Sequence, residues 1–120
     1  MTKILIAEDD VALAKALELK FQHEGFETDH AVDGAEAEVK LRAGGADLLI
    51  LDLVMPKADG FDVLEMMKKE GMKVPTIVAS NLSQVEDKER AMKLGAVDFF
   101  IKSDIAISDL VDRVKNIVKP

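Results

Sequence analysis

The chain has 120 residues, the length of one ordinary domain, and 48% of them are hydrophobic, so intrinsic disorder is not expected. The absence of cysteine excludes disulfides, cysteine-ligated zinc and thiol catalysis. A net charge of −7 argues against direct nucleic-acid binding. The sequence has neither a membrane-spanning apolar run nor a signal-peptide pattern, so we expect a cytoplasmic protein with no membrane partner.

Five short apolar runs, separated by longer segments of helical period, predict alternating strands and helices. The runs are β-branched or aromatic and end at turn residues, which is typical of strands. In chain order they are KILIA at 3–7, ETDHA at 27–31, DLLIL at 47–51, PTIVA at 75–79 and VDFFI at 97–101. The second run alternates with polar residues, and this pattern favours the edge of a sheet.

The segments between these strands carry helix signals. Leu13, Leu17 and Phe21 are four residues apart, and a second apolar stripe marks a last helix near the C-terminus. Cap spacing predicts helix starts at Asp10, Asp33, Asp59 and Ser83. The alternation predicts an α/β fold: a doubly wound, three-layer sandwich with a parallel five-stranded sheet in the order 2-1-3-4-5.

A polar residue follows each of four predicted strands. Glu8 and Asp9 follow the first, Asp52 the third, Ser80 the fourth and Lys102 the fifth. Ligands bind beyond the carboxyl ends of the strands in such sheets. Three carboxylates there repel each other by roughly 3–4 kcal/mol per pair at ~4–5 Å, so a cation has to compensate them. All-oxygen ligands favour a hard ion, and Mg²⁺ leaves positions for water and phosphate.

The charges at this rim are suited to a phosphoryl group. The charges of three carboxylates, one Mg²⁺ and Lys102 cancel, so the site can accept further negative charge. The ammonium of Lys102 and the hydroxyl of Ser80 are suitable donors to phosphoryl oxygens.

Four motifs occur together in a fixed order: ILIAEDD at 4–10, LLILDLVMPKADG at 48–60, TIVAS at 76–80 and GAVDFFIK at 95–102. With these motifs the chain resembles the response-regulator receiver domains of two-component signalling, including single-domain chemotaxis regulators. The resemblance implies one flavodoxin-like receiver domain over residues 1–120. It also implies a signalling phosphoacceptor that assists its own phosphorylation and dephosphorylation and is not an enzyme.

The resemblance implies a role for each residue at the rim. Asp52 would accept a phosphoryl group from a histidine kinase or a phosphotransfer protein. Mg²⁺ would be held by Asp9, Asp52 and the backbone carbonyl of Val54, with Glu8 acting through water. Lys102 would pair with the acceptor carboxylate and afterwards with the phosphoryl group.

The resemblance also implies a switch. Ser80 would be the hydroxyl drawn to the phosphoryl group, and Phe99 would be the aromatic switch residue. The face formed by helix four, strand five and helix five would then bind a downstream protein or a second copy of the chain. Two charge pairs used for dimerisation by the family's winged-helix transcription factors are matched here by Lys88 with Asp109 and Asp98 with Arg113.

Three positions depart from the family pattern: Ser103 replaces a usual proline, Asn81 replaces a small residue, and Phe99 replaces a common tyrosine. We expect a trans Lys102–Ser103 bond, because a cis bond without proline costs about 3 kcal/mol. Residues 102–105 should then follow a different path, with Lys102 still reaching the site.

Two further positions predict slow self-dephosphorylation. In the family, the positions of Val54 and Leu82 flank the path of the attacking water, and neither of these apolar side chains can orient a water molecule.

Three alternatives remain open. Ser103 and Asn81 are compatible with a pseudo-receiver, a binding module that is never phosphorylated. The chain stops at Pro120, so it is either a stand-alone regulator or the receiver fragment of a longer transcription regulator. A phosphatase that forms its own aspartyl phosphate is disfavoured, because such enzymes have a second aspartate where this chain has Val54.

Overall fold

The computed structural model describes residues 1–82 and 84–120, and in these parts strands and helices alternate as predicted. The strands are β1 Lys3–Ala7, β2 Glu27–Ala31, β3 Leu48–Leu51, β4 Thr76–Ser80 and β5 Asp98–Ile101. The helices are α1 Val11–His23, α2 Gly34–Ala43, α3 Gly60–Lys69, α4 Val85–Lys93 and α5 Ile107–Ile117, with a 3₁₀ turn at Lys102–Asp104. Nowhere in the described residues does a helix have the length and apolarity needed to cross a membrane.

The strands form one parallel sheet in the order β2-β1-β3-β4-β5, which confirms the predicted fold class and topology. Residues of β1, β3 and β4 are almost entirely buried, because helices cover both faces of a parallel sheet. Strand β2 lies at the edge and is mostly half-buried or exposed, as its polar alternation predicted.

The core is divided between the two faces of the sheet, since successive side chains of a strand point in opposite directions. Leu5 and Leu49 pack on one face with residues of α2, α3 and α4. Ile4 and Ile6 pack on the other face with residues of α1 and α5. The sheet is therefore the middle of three layers, and its carboxyl edge remains open for a site.

Three of the predicted helix starts are confirmed. The side chains of Asp10, Asp33 and Asp59 each accept a hydrogen bond from the backbone N–H three residues later, at 3.1, 2.8 and 2.9 Å. Asp62 accepts one in return from the Asp59 N–H at 3.1 Å and so completes a capping box. The fourth predicted start, Ser83, lies outside the described residues.

Candidate functional site

Three carboxylates meet at the carboxyl edge of the sheet. One oxygen each of Glu8, Asp9 and Asp52 lies within 4.8 Å of the others. The fold brings them together because β1 and β3 are hydrogen-bonded neighbours, with Ala7 opposite Leu51, so the residues that follow these two strands leave the sheet side by side. Glu8 is 3% exposed and Asp52 is 5% exposed, whereas Asp9 is exposed. The cluster is therefore buried on one side and open to solvent at Asp9.

The ammonium of Lys102 lies between the two buried carboxylates. Its Nζ is 2.9 Å from Asp52 Oδ2 and also forms an ion pair with Glu8. Lys102 begins the 3₁₀ turn directly after β5 and reaches Asp52 although β4 separates β5 from β3. All peptide bonds in the described parts of the chain are trans, including Lys102–Ser103 as predicted.

The electrostatics of the cluster reflect two carboxylates that share one ammonium. Burial raises the pKa of Glu8 to about 7, and this effect outweighs hydrogen bonds from Lys102 and from the Asp10 N–H. Burial alone would lower the pKa of Lys102, but its hydrogen bonds to Glu8 and Asp52 raise it above the usual lysine value. The ammonium therefore stays charged, and the cluster keeps excess negative charge.

The donors present fit Mg²⁺. The three carboxylates offer only oxygen ligands, the exposed Asp9 gives access from solvent, and the excess negative charge attracts a cation. Val54, predicted to contribute its backbone carbonyl, follows Asp52 closely, and its N–H donates to Asp52 Oδ1 at 3.2 Å. This bond and the one from Lys102 hold both oxygens of Asp52, so the carboxylate has a defined orientation.

Ser80 and Phe99, the predicted switch residues, are both buried. Ser80 ends β4 and is paired in register with Ile101, the residue before Lys102, so it belongs to the same edge. Its hydroxyl oxygen accepts a 3.3 Å bond from the Leu82 N–H. Phe99 is 9% exposed and packs in the core on the side of α3 and α4. The roles of both residues stay predictions.

Two features of the site were missed in the sequence. His30 is half-buried, and its Nε2 lies 2.6 Å from the backbone carbonyl oxygen of Glu8. The pairing of β1 with β2 brings the two residues together. A cavity of about 60 Å³ opens beside Lys102, with apolar walls from α1 and α5. No sequence motif marks either feature.

The fold is a flavodoxin-like α/β sandwich whose sheet carries a cluster of carboxylates at its carboxyl edge. The family model described as "Response regulator receiver domain" matches residues 4–115, and the chain belongs to this family. Receiver domains of two-component systems are phosphoacceptors and not enzymes as such. They bind Mg²⁺ at an acidic pocket and interact with histidine kinases and downstream effectors.

Individual relatives agree with this assignment. The chain is 31% identical to the "Probable transcriptional regulatory protein SilR" of Salmonella typhimurium over 98% of its own length and 51% of that protein. It thus spans about half the length of the curated relatives it matches.

Two solved structures illustrate the similarity of fold. The receiver domain of the Francisella response regulator 1452 has a TM-score of 0.92 at 32% identity, with 98% of this chain and 96% of that chain covered. The Thermotoga maritima response regulator TrrA in complex with Mg²⁺ and BeF has a TM-score of 0.87 at 28% identity, with 98% and 100% covered.

Proposed function

We propose that residues 1–120 act in the cytoplasm as one receiver domain, in which Asp52 accepts a phosphoryl group from a histidine kinase or a phosphotransfer protein. The observation that carries this proposal is the environment of Asp52. Its buried carboxylate is oriented by Lys102 and the Val54 N–H and lies beside two further carboxylates that fit a metal ion.

Asp52 is the nucleophile in this proposal. One of its oxygens attacks the phosphorus of the donor, the bond from phosphorus to the leaving atom breaks, and an acyl phosphate remains on the chain. The ammonium of Lys102 pairs with the Asp52 carboxylate beforehand and afterwards contacts a phosphoryl oxygen. Asp9, Asp52 and the Val54 carbonyl would hold Mg²⁺, with Glu8 acting through water, and the ion would supply positive charge to the phosphoryl oxygens. The product stays on the protein, so the domain is a switch and not an enzyme.

The readout in this proposal is the face formed by α4, β5 and α5. The Ser80 hydroxyl moves towards the phosphoryl group, and Phe99 takes up the space that this movement leaves. The resting bond of Ser80 with the Leu82 N–H is long, at 3.3 Å, which supports its release. Val85, the first residue of α4, and Val97, which precedes β5, are exposed and would offer apolar surface to a downstream protein.

A second copy of the chain is the other partner proposed for this face. Asp98 and Arg113, one of the matched dimerisation pairs, are 3.1 Å apart within a single chain. Dimerisation would exchange this internal pair for an equivalent one between chains. Because a longer relative is described as a transcriptional regulatory protein, we also propose output through a further domain as the second candidate function.

The test is phosphorylation by a small donor. The protein is incubated with Mg²⁺ and acetyl phosphate, and its intact mass is recorded beside those of Asp52→Asn and Asp47→Asn. Asp47 is a matched control, because it precedes the same strand and holds the Lys3 N–H at 2.8 Å, remote from the carboxyl edge. We expect one phosphoryl adduct on the parent and on Asp47→Asn, and none on Asp52→Asn. No adduct, where a known receiver is modified, would favour the pseudo-receiver.

We also propose that the acyl phosphate is long-lived. The exposed Val54 and the half-buried Leu82 both present apolar side chains that cannot orient an attacking water. Val54→Asn and Leu82→Glu should therefore speed the loss of the adduct, followed by intact mass over time. Rapid loss in the parent that neither substitution changes would contradict this proposal.

A further inference from the structure

The loop that connects Asp52 to α3 is enclosed between two helices that both begin with glycine. A Cβ added to Gly60, the first residue of α3, would lie 2.7 Å from the Cα of Leu53. A Cβ added to Gly34, the first residue of α2, would overlap the Ala58 carbonyl group and lie 2.5 Å from its carbon. Neither glycine has a positive φ, so lack of space and not backbone conformation requires glycine at both positions.

The contact at Gly60 is local, whereas the contact at Gly34 is not. Gly60 ends the loop itself, and its N–H donates to the Leu53 carbonyl at 2.9 Å. Gly34 belongs to a different helix and meets the loop at Ala58 only because α2 and α3 are neighbours on the same face of the sheet. The start of α2 therefore limits where the far side of the loop can lie.

The residue before Gly34 holds the same segment of the loop. Asp33 is buried and caps α2 through one carboxylate oxygen, while the other lies 3.6 Å from the ammonium of Lys57. Lys57 has a φ of 70°, a left-handed conformation that a residue with a Cβ rarely adopts. Such a conformation persists only where the surroundings impose it, and Asp33 and Gly34 are part of those surroundings.

The loop carries groups that matter at the site. Val54, near its beginning, donates its N–H to Asp52 and supplies the carbonyl proposed to bind Mg²⁺. A displacement of the loop at Ala58 would reach Val54 through the compact turn between them, in which the Ala58 N–H donates to the Pro56 carbonyl at 2.8 Å. The packing of Gly34 is thereby linked to the metal-binding geometry.

We propose that Gly34 is a positioning residue for the phosphoacceptor site: the space left by its missing side chain admits the Ala58 backbone and fixes the loop that presents Val54 beside Asp52. This inference rests on the proposed function, because it assigns Gly34 to the metal-binding step of that function. It predicts that a methyl group added at Gly34, a position remote in sequence from every proposed Mg²⁺ ligand, weakens Mg²⁺ binding.

The decisive variant is Gly34→Ala, and Gly44→Ala is its matched control. Gly44 follows the other end of α2, has a φ of 82°, and has open space where a Cβ would be placed. Its substitution strains the backbone and destabilises the fold without touching the loop. The pair therefore separates general destabilisation, which both variants cause, from displacement of the loop, which is expected only of Gly34→Ala.

The readouts are Mg²⁺ affinity by calorimetry and hydrogen exchange of the Ala58 and Gly60 amides, both hydrogen-bonded within the loop. We expect Gly34→Ala to bind Mg²⁺ about tenfold more weakly, the effect typical of lost support around a metal ligand. Both amides should exchange faster in this variant. Gly44→Ala should lower the melting temperature and leave both readouts at parental values. Equal behaviour of the two variants in both readouts would overturn the inference.

The design distinguishes this inference from the proposed function. A parent protein that binds no Mg²⁺ and takes no phosphoryl group would refute the proposed function, and loop exchange in Gly34→Ala would then decide the inference alone. If Gly34→Ala does not fold, the double variant Gly34→Ala/Ala58→Gly, in which the loop backbone can move away from the added methyl group, is compared with Ala58→Gly alone. Faster exchange at Gly60 in the double variant than in Ala58→Gly supports the inference, and equal exchange overturns it.

Discussion

Helices α3 and α4 pack on the same face of the sheet, but they are held very differently. Helix α3 buries six residues and begins with a capping box. Helix α4, whose residues are all described, buries only Ala91, and no side chain of the described residues caps it at Gln84. It contacts α3 through the exposed side chain of Arg90, which lies 3.1 Å from Glu65 and 4.1 Å from the centre of the Phe61 ring.

This difference matches what the receiver function needs from each helix. Helix α3 follows the loop that carries Asp52 and is bonded to it through the Gly60 N–H. A rigid α3 would keep the carboxylate of Asp52, the proposed phosphoacceptor, oriented. Helix α4 belongs to the face proposed to respond, and a segment with few buried apolar contacts opens and shifts at low free energy. Buried apolar contacts are therefore concentrated beside the proposed phosphoacceptor and are few in the helix of the proposed readout face.

The largest expected effect is in the core beneath α3. Leu64 is 2% exposed, whereas Met92 of α4 is 40% exposed. Leu64→Ala should lower the free energy of unfolding by about 2–5 kcal/mol, because it leaves a cavity. Met92→Ala should change it by about 0.5 kcal/mol or less, as for other surface substitutions. Urea denaturation measures both, and a comparable loss in the two variants would remove the contrast between the helices.

The next effect concerns the helix starts. Asp59→Ala removes the cap of α3 and should lower the free energy of unfolding by about 1 kcal/mol, while Asp59→Asn keeps an acceptor and should cost much less.

Gln84→Asp should add a cap to α4 and stabilise the protein by about 0.5–1 kcal/mol. Gln84→Glu introduces the same charge with poor cap geometry and serves as control. A gain of equal size in both Gln84 variants would show that charge, not capping, is responsible.

A smaller effect is expected where α4 meets α3. Arg90→Ala removes a surface ion pair and a cation–π contact with Phe61, together worth about 1 kcal/mol. The loss should appear as faster hydrogen exchange in α4 with little change in α3. Lys93→Ala, which removes another α4 cation that forms no ion pair with the described residues, is the control. Faster exchange in both helices would mean that they move as one unit.

The smallest effect is electrostatic and concerns the end of α3. Glu70 accepts bonds from Arg42 of α2 at 2.7 and 3.1 Å, and these hydrogen bonds lower its pKa below the ordinary glutamate value. Because the pKa of Glu70 is lower in the folded state, ionised Glu70 stabilises the folded protein at pH values above its unfolded-state pKa of about 4.3. This stabilisation is lost as the pH falls through the folded-state pKa.

Glu70→Gln should therefore flatten the loss of stability in acid, measured by urea denaturation at a series of pH values. The difference from the parent should shrink in high salt, since the pair is exposed. An unchanged acid slope would show that this pair contributes nothing to the anchoring of α3.

Much of this fold was predictable because its signals are local. Apolar runs bounded by turn residues located every strand, and aspartates at cap positions marked three helix starts that the structure confirms. The convergence of Glu8, Asp9 and Asp52 followed from topology alone, since neighbouring parallel strands end at the same edge. Their chemical roles stay predictions.

Contacts between distant segments could not be predicted in the same way. The ring of His30 meets the Glu8 carbonyl because an edge strand pairs with β1, and the space at Gly34 depends on how α2 and α3 pack. The sequence alone does not show whether a glycine is required for the backbone conformation of a turn or for the close approach of another backbone segment. The sharing of Lys102 between Glu8 and Asp52 likewise depends on distances that spacing along the chain does not determine.

The most direct test of this account is hydrogen exchange of α3 and α4 in the same sample, with and without Mg²⁺ and beryllofluoride, beside Asp52→Asn. The account predicts faster exchange in α4 than in α3 at rest. It also predicts a change in α4 and β5 on addition of the phosphoryl mimic, an unchanged α3, and no response in Asp52→Asn. Equal protection of the two helices at rest, or a response confined to α3, would contradict it.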